Sequence, residues 1–209
     1  MPSKSNPVAL RWNTPDGHSP YVHAFQAVHS LSNAAIQYLD RETYCRTLTK
    51  GDFLARPGFS TNCLYLVLKG VVRGYRKLQK KEITTWINEE NEIVGSIQDL
   101  GMTENKSDEY IQVIEDTELV ALPKAGVDFL YRTCPETNMI GRKILEESYR
   151  AAEERAFICR IPSAELRYRL FLKTSPQLVN RIPLKYIASY LGMTLETLSR
   201  VRNQKTGTK

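Results

Sequence analysis

Four polar residues near the C-terminus have the types and the spacing to read DNA bases. They stand at positions i, i+3, i+4 and i+7 of one segment, which share one face of an α-helix: Glu196, Ser199, Arg200 and Asn203. Arginine can donate two hydrogen bonds to guanine, glutamate can accept one from cytosine, and serine suits either kind of base edge. Leu195, just before them, is placed to touch a thymine methyl group. The alternative is the charged surface of an ordinary helical domain.

The segment around this face has the pattern of two short helices joined by a tight turn. One helix is predicted over residues 183–191, with Pro183 in the first turn, where proline is tolerated. The other is predicted over residues 195–203. Gly192 lies between them, at a position where helices commonly end in a left-handed residue. This order is typical of a helix-turn-helix.

Capping and apolar residues support the same interpretation. Thr194 is a suitable cap for the second helix, and Glu196 lies near its positive end. Ala188 is small enough to let the two helices approach. The apolar residues predicted to fix their crossing are Ile187, Leu191, Met193, Leu198 and Val201.

Charge is concentrated in the same part of the chain. The 209 residues include 29 Lys and Arg and 23 Asp and Glu, a net charge of +6. Residues 160–209 hold ten basic and two acidic residues, so this segment carries +8 and residues 1–159 carry −2. A basic segment on a near-neutral body indicates a polyanionic partner, of which nucleic acid is the commonest. The side chains expected to contact DNA phosphates are Arg181, Lys185, Tyr186, Arg202 and Lys205.

The first two thirds of the chain must position this segment, and its pattern predicts a β-rich domain. Residues 1–20 hold four prolines and one glycine and are expected to form a flexible arm. Residues 21–39 are predicted to form one amphipathic helix, because apolar side chains recur at spacings of three and four: Val22, Phe25, Val28, Leu31, Ala35 and Leu39. Residues 100–108 are expected to form an irregular loop. Short runs at a period of two predict eight strands of a compact antiparallel roll: 44–49, 52–56, 63–69, 71–77, 82–88, 92–97, 110–115 and 118–123.

Helical spacing returns after Pro123. A short helix is predicted over 124–133 and a long one over 136–158, with a narrow apolar seam that is typical of a dimerisation helix. Its apolar members are Met139, Ile140, Ile144, Ala151, Phe157 and Ile158. The alternative is a helix packed along its own domain. A further helix begins after Ser163, with Leu166, Leu170 and Phe171 on one face.

The predicted fold class is therefore α+β with four parts. They are the arm at 1–20, the β-roll at 21–135, the dimerisation helix at 136–160 and the helix-turn-helix domain at 161–209.

Several classes of protein are not expected. The longest apolar runs are far below the roughly 20 residues of a membrane span, and no secretory signal is visible, so we expect a cytoplasmic protein. Four scattered cysteines (Cys45, Cys63, Cys134 and Cys159) are expected to be reduced and mostly packed, with no metal site. His18, His23 and His29 do not share a helix face, and no catalytic motif is present. We expect no enzyme activity.

The chain resembles the Crp/Fnr superfamily of bacterial transcription regulators over residues 21–203. Glycine-marked turns carry the resemblance in the roll: Lys50-Gly51-Asp52, Pro57-Gly58 and Lys69-Gly70. The most specific match is the run from Leu191 to Arg200, which is closer to the Fnr branch than to the catabolite activator. The resemblance implies a cyclic-nucleotide-binding-domain fold, and a homodimer that binds palindromic DNA and RNA polymerase. It also implies that Glu196, Ser199 and Arg200 read bases.

Two family features are altered in this sequence. Cyclic-nucleotide binders in the family carry Gly-Glu and, about ten residues later, Arg-Ser/Thr-Ala, which grips the phosphate. Here the first pair is Asn91-Glu92, and the later part falls at residues 107–110, which hold no Arg and two carboxylates. An anionic phosphate would be repelled there, so no cyclic nucleotide or other cofactor is expected. The cysteine cluster of the Fnr branch is also missing, since no Cys precedes Cys45.

A second interpretation keeps a ligand in the roll. On this interpretation the protein is a small-molecule or cyclic-nucleotide sensor whose ligand gates DNA binding. The residues expected to line its pocket are Glu92, Ser96, Ser107 and Tyr110. Finally, because only nine residues follow Arg200, we expect little or no β-wing after the second helix.

Overall fold

The computed structural model describes residue 12 and residues 14–59, 62–95 and 108–206, with the side chains of 204–206 left aside. The chain divides into two compact units. The first unit comprises Met1–Val72 and Asn88–Ile144, and the second comprises Arg73–Ile87 and Leu145–Lys209. The division does not follow chain order, because the segment 73–87 from the middle of the roll belongs with the C-terminal helices.

The eight predicted strands are all present and form an antiparallel β-roll between residues 44 and 123. Four of them make one sheet in the order β1-β8-β3-β6, while β2 pairs with β7 and β4 neighbours β5 in a hairpin. The strands are β1 (Tyr44–Leu48), β2 (Phe53–Ala55), β3 (Cys63–Lys69), β4 (Val72–Leu78), β5 (Lys81–Asn88), β6 (Ile93–Val94), β7 (Tyr110–Val113) and β8 (Thr117–Pro123).

The core of the first unit lies between this sheet and the surrounding helices. Strand β8 lies between β1 and β3, and its residues Leu119 to Leu122 are buried in succession. Such a run shows that both faces of a strand are covered, since side chains alternate between the two faces. The helical side is supplied by apolar residues that cluster with Val120 and Leu122: Tyr21, Val22, Phe25, Ala35, Leu39, Val127, Leu130 and Ile140.

The single helix predicted over 21–39 is wrong, because the structure has two helices there. They are α1 (Pro20–Gln26) and α2 (Asn33–Glu42). Ser32 begins α2 by accepting a hydrogen bond from the Ala35 N–H at 3.3 Å, which is how serine starts a helix. Val28, on the predicted apolar face, is exposed. Residues 1–11 and 13 of the predicted arm lie outside the described part of the chain.

The remaining helices begin and end close to their predicted positions. They are α3 (Lys124–Thr133), α4 (Glu136–Arg160), α5 (Ala164–Thr174), a 3₁₀ turn (Pro176–Leu178), α6 (Leu184–Tyr190) and α7 (Leu195–Thr206). The predicted face of α5 is wrong in part: Tyr168 and Phe171 are its buried residues, whereas Leu166 is 40% exposed. Phe171 packs edge-to-face on Tyr190 of α6 with ring centroids 5.9 Å apart, which turns the α5 core face toward α6.

Most of the predicted irregular loop at 100–108 falls on residues 100–107, outside the described part. None of the described helices combines the length and apolar character needed to cross a membrane.

Candidate nucleic-acid interface

The turn between α6 and α7 has the geometry that the sequence predicts. Gly192 has φ +62°, in the left-handed region that favours glycine. The Met193 N–H donates to the Ala188 carbonyl at 3.0 Å, and the Leu191 N–H donates to Ile187 at 3.0 Å. These bonds satisfy carbonyls that the end of α6 would otherwise leave without partners. The second helix therefore starts at a defined angle to the first.

A small core fixes that angle. The described side chains at the crossing are almost fully buried, and Met193 is half-buried. This confirms the predicted helix-turn-helix core. The buried members are Ile187, Ala188, Leu191, Leu198 and Val201.

The start of α7 is capped as predicted. The Thr194 hydroxyl accepts a hydrogen bond from the Thr197 N–H at 3.2 Å. The backbone N–H of Glu196 and then the Thr194 hydroxyl lower the pKa of the Glu196 carboxyl below its ordinary value. Glu196 is thus an ionised, acceptor-only group at the positive end of the helix. That is the state in which it can accept from an amino donor.

The structure brings the predicted base-reading residues together on the exposed side of α7. Glu196, Arg200 and Asn203 are exposed, Ser199 is half-buried, and Leu195 is 43% exposed. Leu198 and Val201 face the core on the opposite side. Their role in base recognition stays a prediction, but their placement is what that role requires.

The predicted phosphate-binding residues differ in exposure. Lys185 on α6 is exposed, with Nζ 4.9 Å from the centre of the Tyr186 ring. Arg181, Tyr186 and Arg202 are half-buried. The side chain of Lys205 lies outside the described part.

The β4–β5 hairpin belongs to the second unit, together with the helix-turn-helix. This placement was not predicted from the sequence. Arg73 of β4 is 1% exposed, with its guanidinium 3.5 Å from the Tyr186 ring centre and 4.1 Å from that of Tyr75. Its Nη2 donates to Glu82 at 2.6 Å. The Ser189 Oγ of α6 accepts from the Thr84 N–H at 2.9 Å and donates to the Glu82 carbonyl at 3.0 Å. The available signal was Arg73 itself, a charge between the apolar residues Val72 and Tyr75 of β4.

Helix α4 has an exposed apolar surface along its middle. Two predicted seam residues, Ile140 and Ile158, are instead buried within the chain, as the alternative of internal packing requires for those positions. Met139 and Phe157 are exposed. The predicted apolar seam did not include Leu145 and Tyr149. These two side chains are 55% and 72% exposed and lie one helical turn apart.

The four predicted ligand-pocket residues are not shown together. Glu92 is exposed, and its carboxylate accepts from the Glu89 N–H at 2.7 Å, closing its own turn. Tyr110 is half-buried on β7, with its ring 6.2 Å from that of Phe53. Ser96 and Ser107 lie outside the described residues. A surface depression of about 270 Å³ between β1 and β8 is lined by none of the four.

Two of the described histidines lie next to aspartate side chains. His18 Nδ1 is 2.7 Å from Asp40, which raises the pKa of His18. His23 is 3.2 Å from Asp16. Within residues 14–59, 62–95 and 108–206, His, Cys, Asp and Glu form no group able to hold a metal ion. All four cysteines are free thiols, and most of them are packed as expected: Cys134 is buried, Cys45 and Cys63 are half-buried, and Cys159 is exposed.

Residues 45–134 match the family described as the cyclic nucleotide-binding domain. No curated protein matches the chain. Among solved structures, a Crp/Fnr-family transcriptional regulator from Eubacterium rectale aligns with a TM-score of 0.72 and 16% identity, over 88% of each chain.

Two further solved structures are similar. A CooA mutant from Carboxydothermus hydrogenoformans has a TM-score of 0.64 and 21% identity, over 87% of this chain and 84% of that one. The c-di-GMP-responsive regulator CLP from Xanthomonas campestris has a TM-score of 0.64 and 16% identity, over 84% and 92%. At these identities the structures show that the chain shares the fold of Crp/Fnr regulators.

Proposed function

We propose that this protein, whose roll and helical C-terminal region have the Crp/Fnr fold, is a sequence-specific DNA-binding transcription regulator. One observation carries the proposal: a capped α7 is held at a defined angle by the Gly192 turn and presents Glu196 and Arg200 to solvent. Helices of this arrangement enter the major groove with their first turns against the bases.

The exposed face of α7 supplies the base contacts. Arg200 is assigned to guanine as a bidentate donor, and the ionised Glu196 to the amino group of cytosine. Ser199 and Asn203 read adjacent base edges, and Leu195 contacts a thymine methyl group. Thr194, Lys185 and Arg202 hold the DNA backbone, which fixes the register of the helix without adding sequence preference.

We assign the exposed surface of α4 to a homodimer contact. Leu145 and Tyr149 are large apolar side chains that are mostly exposed to solvent. A patch of such side chains commonly marks a contact with another protein chain. A two-fold dimer places its two recognition helices one DNA turn apart, which requires a palindromic site. As a regulator acting on DNA in the bacterial cytoplasm, it would work through RNA polymerase and would not be an enzyme.

We propose that cyclic AMP does not control this protein. A cyclic phosphate needs hydrogen-bond donors or a guanidinium. In the described part of the family's phosphate segment the side chains are Asp108, Glu109 and Tyr110, and the Glu92 carboxylate is already engaged with the Glu89 N–H. The two carboxylates would repel a phosphate and no guanidinium offsets them, so no cofactor is assigned.

A ligand of another kind is the second candidate. The match of residues 45–134 to the cyclic nucleotide-binding domain supports it. So does the similarity to CLP, a regulator described as responsive to c-di-GMP. Under this proposal the roll holds a small molecule that gates DNA binding.

Selection from a randomised duplex pool, with and without cyclic AMP and at several salt concentrations, tests these proposals. We expect a palindrome to be enriched without nucleotide. Enrichment that depends on cyclic AMP would contradict our assignment of residues 91–110. Absence of enrichment in both arms, repeated with c-di-GMP, would contradict sequence-specific recognition.

A further inference from the structure

The β4–β5 hairpin is fixed to the first helix of the helix-turn-helix by its own contacts. Ser189 bonds to the backbone of Thr84 and of Glu82. Arg73 lies between the Tyr75 and Tyr186 rings and is almost completely buried. A desolvated guanidinium between two rings and a carboxylate holds its position well. The hairpin therefore has a defined place beside α6.

The tip of the hairpin lies near the C-terminal end of α6. Glu82 and Thr84 of β5 meet Ser189, which is in the last turn of α6 and three residues before Gly192. Lys80 and Lys81 directly precede Glu82, so the tip lies one to two residues from this contact, roughly 3–7 Å of extended chain. The tip is therefore close to the turn into α7.

The tip is strongly basic. Four cations fall within six residues and no acidic residue lies among them. All four are exposed: Arg76, Lys77, Lys80 and Lys81. The first carboxylate after them, Glu82, is paired with Arg73 at 2.6 Å. The net charge of residues 76–81 is therefore +4.

We propose that the tip of the β4–β5 hairpin binds DNA phosphates, as an accessory contact beside the helix-turn-helix. The inference rests on the proposed DNA-binding function and extends it to a segment from the middle of the roll. Lysine ammonium groups on flexible stems suit phosphate as point charges. Contacts of this kind add affinity without sequence preference.

The double variant Lys80→Gln/Lys81→Gln tests the proposal in the full-length protein. Each phosphate contact contributes about 0.9 to the slope of log affinity against log salt concentration on duplex DNA. We expect the slope to become shallower by about two. We also expect the loss of affinity to be equal on a selected palindrome and on random DNA. Fluorescence anisotropy titrations at four salt concentrations give both quantities.

The matched control is Lys50→Gln/Lys69→Gln, which removes the same charge from two exposed lysines of the first unit. We expect its slope to stay within about 0.3 of the wild type, because these lysines belong to the unit that holds neither the hairpin nor the helix-turn-helix. Equal slopes for the hairpin variant and the wild type overturn the hairpin proposal and leave the proposed function standing. Normal DNA binding with reduced transcription would assign the tip to a protein partner instead. A wild type that binds no DNA overturns both proposals.

Discussion

Two short regions of this chain differ in how well they fit the motifs that the resemblance to Crp/Fnr regulators implies. In the C-terminal region the turn, the cap, the core and the exposed polar face are all in place, from Gly192 at φ +62° to Arg200 on the surface. In the roll, Asn91 has φ +69°, a conformation that asparagine tolerates better than most residues. Residues 108–110 carry two carboxylates and no guanidinium.

Under the proposed function, this difference would leave the recognition of DNA intact and remove the recognition of a cyclic phosphate. A base-reading face needs one helix, one cap and a small local core, so all of its parts lie within one short segment. A phosphate site needs donors from separate segments of the roll, and replacing one arginine by an acid reverses its preference. Four experiments test this difference between the two regions.

The largest effect is expected from the exposed surface of α4. The variant Leu145→Gln/Tyr149→Gln removes two large exposed apolar side chains without changing the charge. If they hold the dimer, the loss of bivalent binding should weaken affinity for a palindrome by about 10²–10⁴-fold. Light scattering during gel filtration measures the mass, and Glu147→Gln on the opposite face is the control. A dimer that persists in the double variant would refute this assignment.

The next largest effect is expected on the stability of the helix-turn-helix core. Ile187→Ala empties a fully buried position at the crossing of α6 and α7 and should lower the free energy of unfolding by about 2–5 kcal/mol. Trp86 lies in the same unit, so its fluorescence during urea unfolding reports the change. Leu195→Ala, at a 43% exposed position, should cost less than about 0.5 kcal/mol. Similar losses in the two variants would show that Ile187 does not carry the crossing.

Base reading by α7 should be visible as a loss of discrimination. Arg200→Ala should cost about 1–3 kcal/mol on the selected site and flatten the preference at one base pair. Lys185→Ala should instead weaken binding equally on all sequences and reduce the salt slope by about one. Competition titrations with single-base variants separate the two effects. An equal loss on selected and random DNA in Arg200→Ala would remove Arg200 from the reading face.

Local patterns explain why so much of the fold could be predicted. All eight strands and the boundaries of α3 and α4 follow from periodicity and turn residues within each segment, as does the cap at Thr194. The failures lie where a second segment decides the outcome. Residues 21–39 have continuous helical spacing, but the cap at Ser32 starts a new helix. The face of α5 is set by Phe171 packing on Tyr190, which spacing within α5 does not contain.

The hairpin contact shows the same limit at the candidate site. Spacing within residues 181–203 suffices to place Glu196 and Arg200 on one face, because a helix face is a local property. The bond between Thr84 and Ser189 joins residues 105 positions apart, and neither residue type announces a partner. Arg73 is a partial indication, because a charged side chain that becomes buried needs a partner for its charge. The sequence does not identify Tyr186 and Glu82 as the residues that surround its guanidinium.

The smallest expected effect concerns the response of the roll to cyclic AMP. A nucleotide present at millimolar concentration, about a thousandfold above its Kd, would stabilise the folded protein by roughly 4 kcal/mol. For cyclic AMP we expect no shift in Tm beyond that produced by AMP, because residues 108–110 offer two carboxylates and no guanidinium to the phosphate. A shift specific to the cyclic nucleotide would mean that its phosphate is held by donors outside the family's segment. The variant Asp108→Arg adds a cation and removes a carboxylate there. A gain of cyclic AMP binding in that variant alone would show that the charge of this segment, and not the shape of the roll, separates this protein from nucleotide-gated regulators.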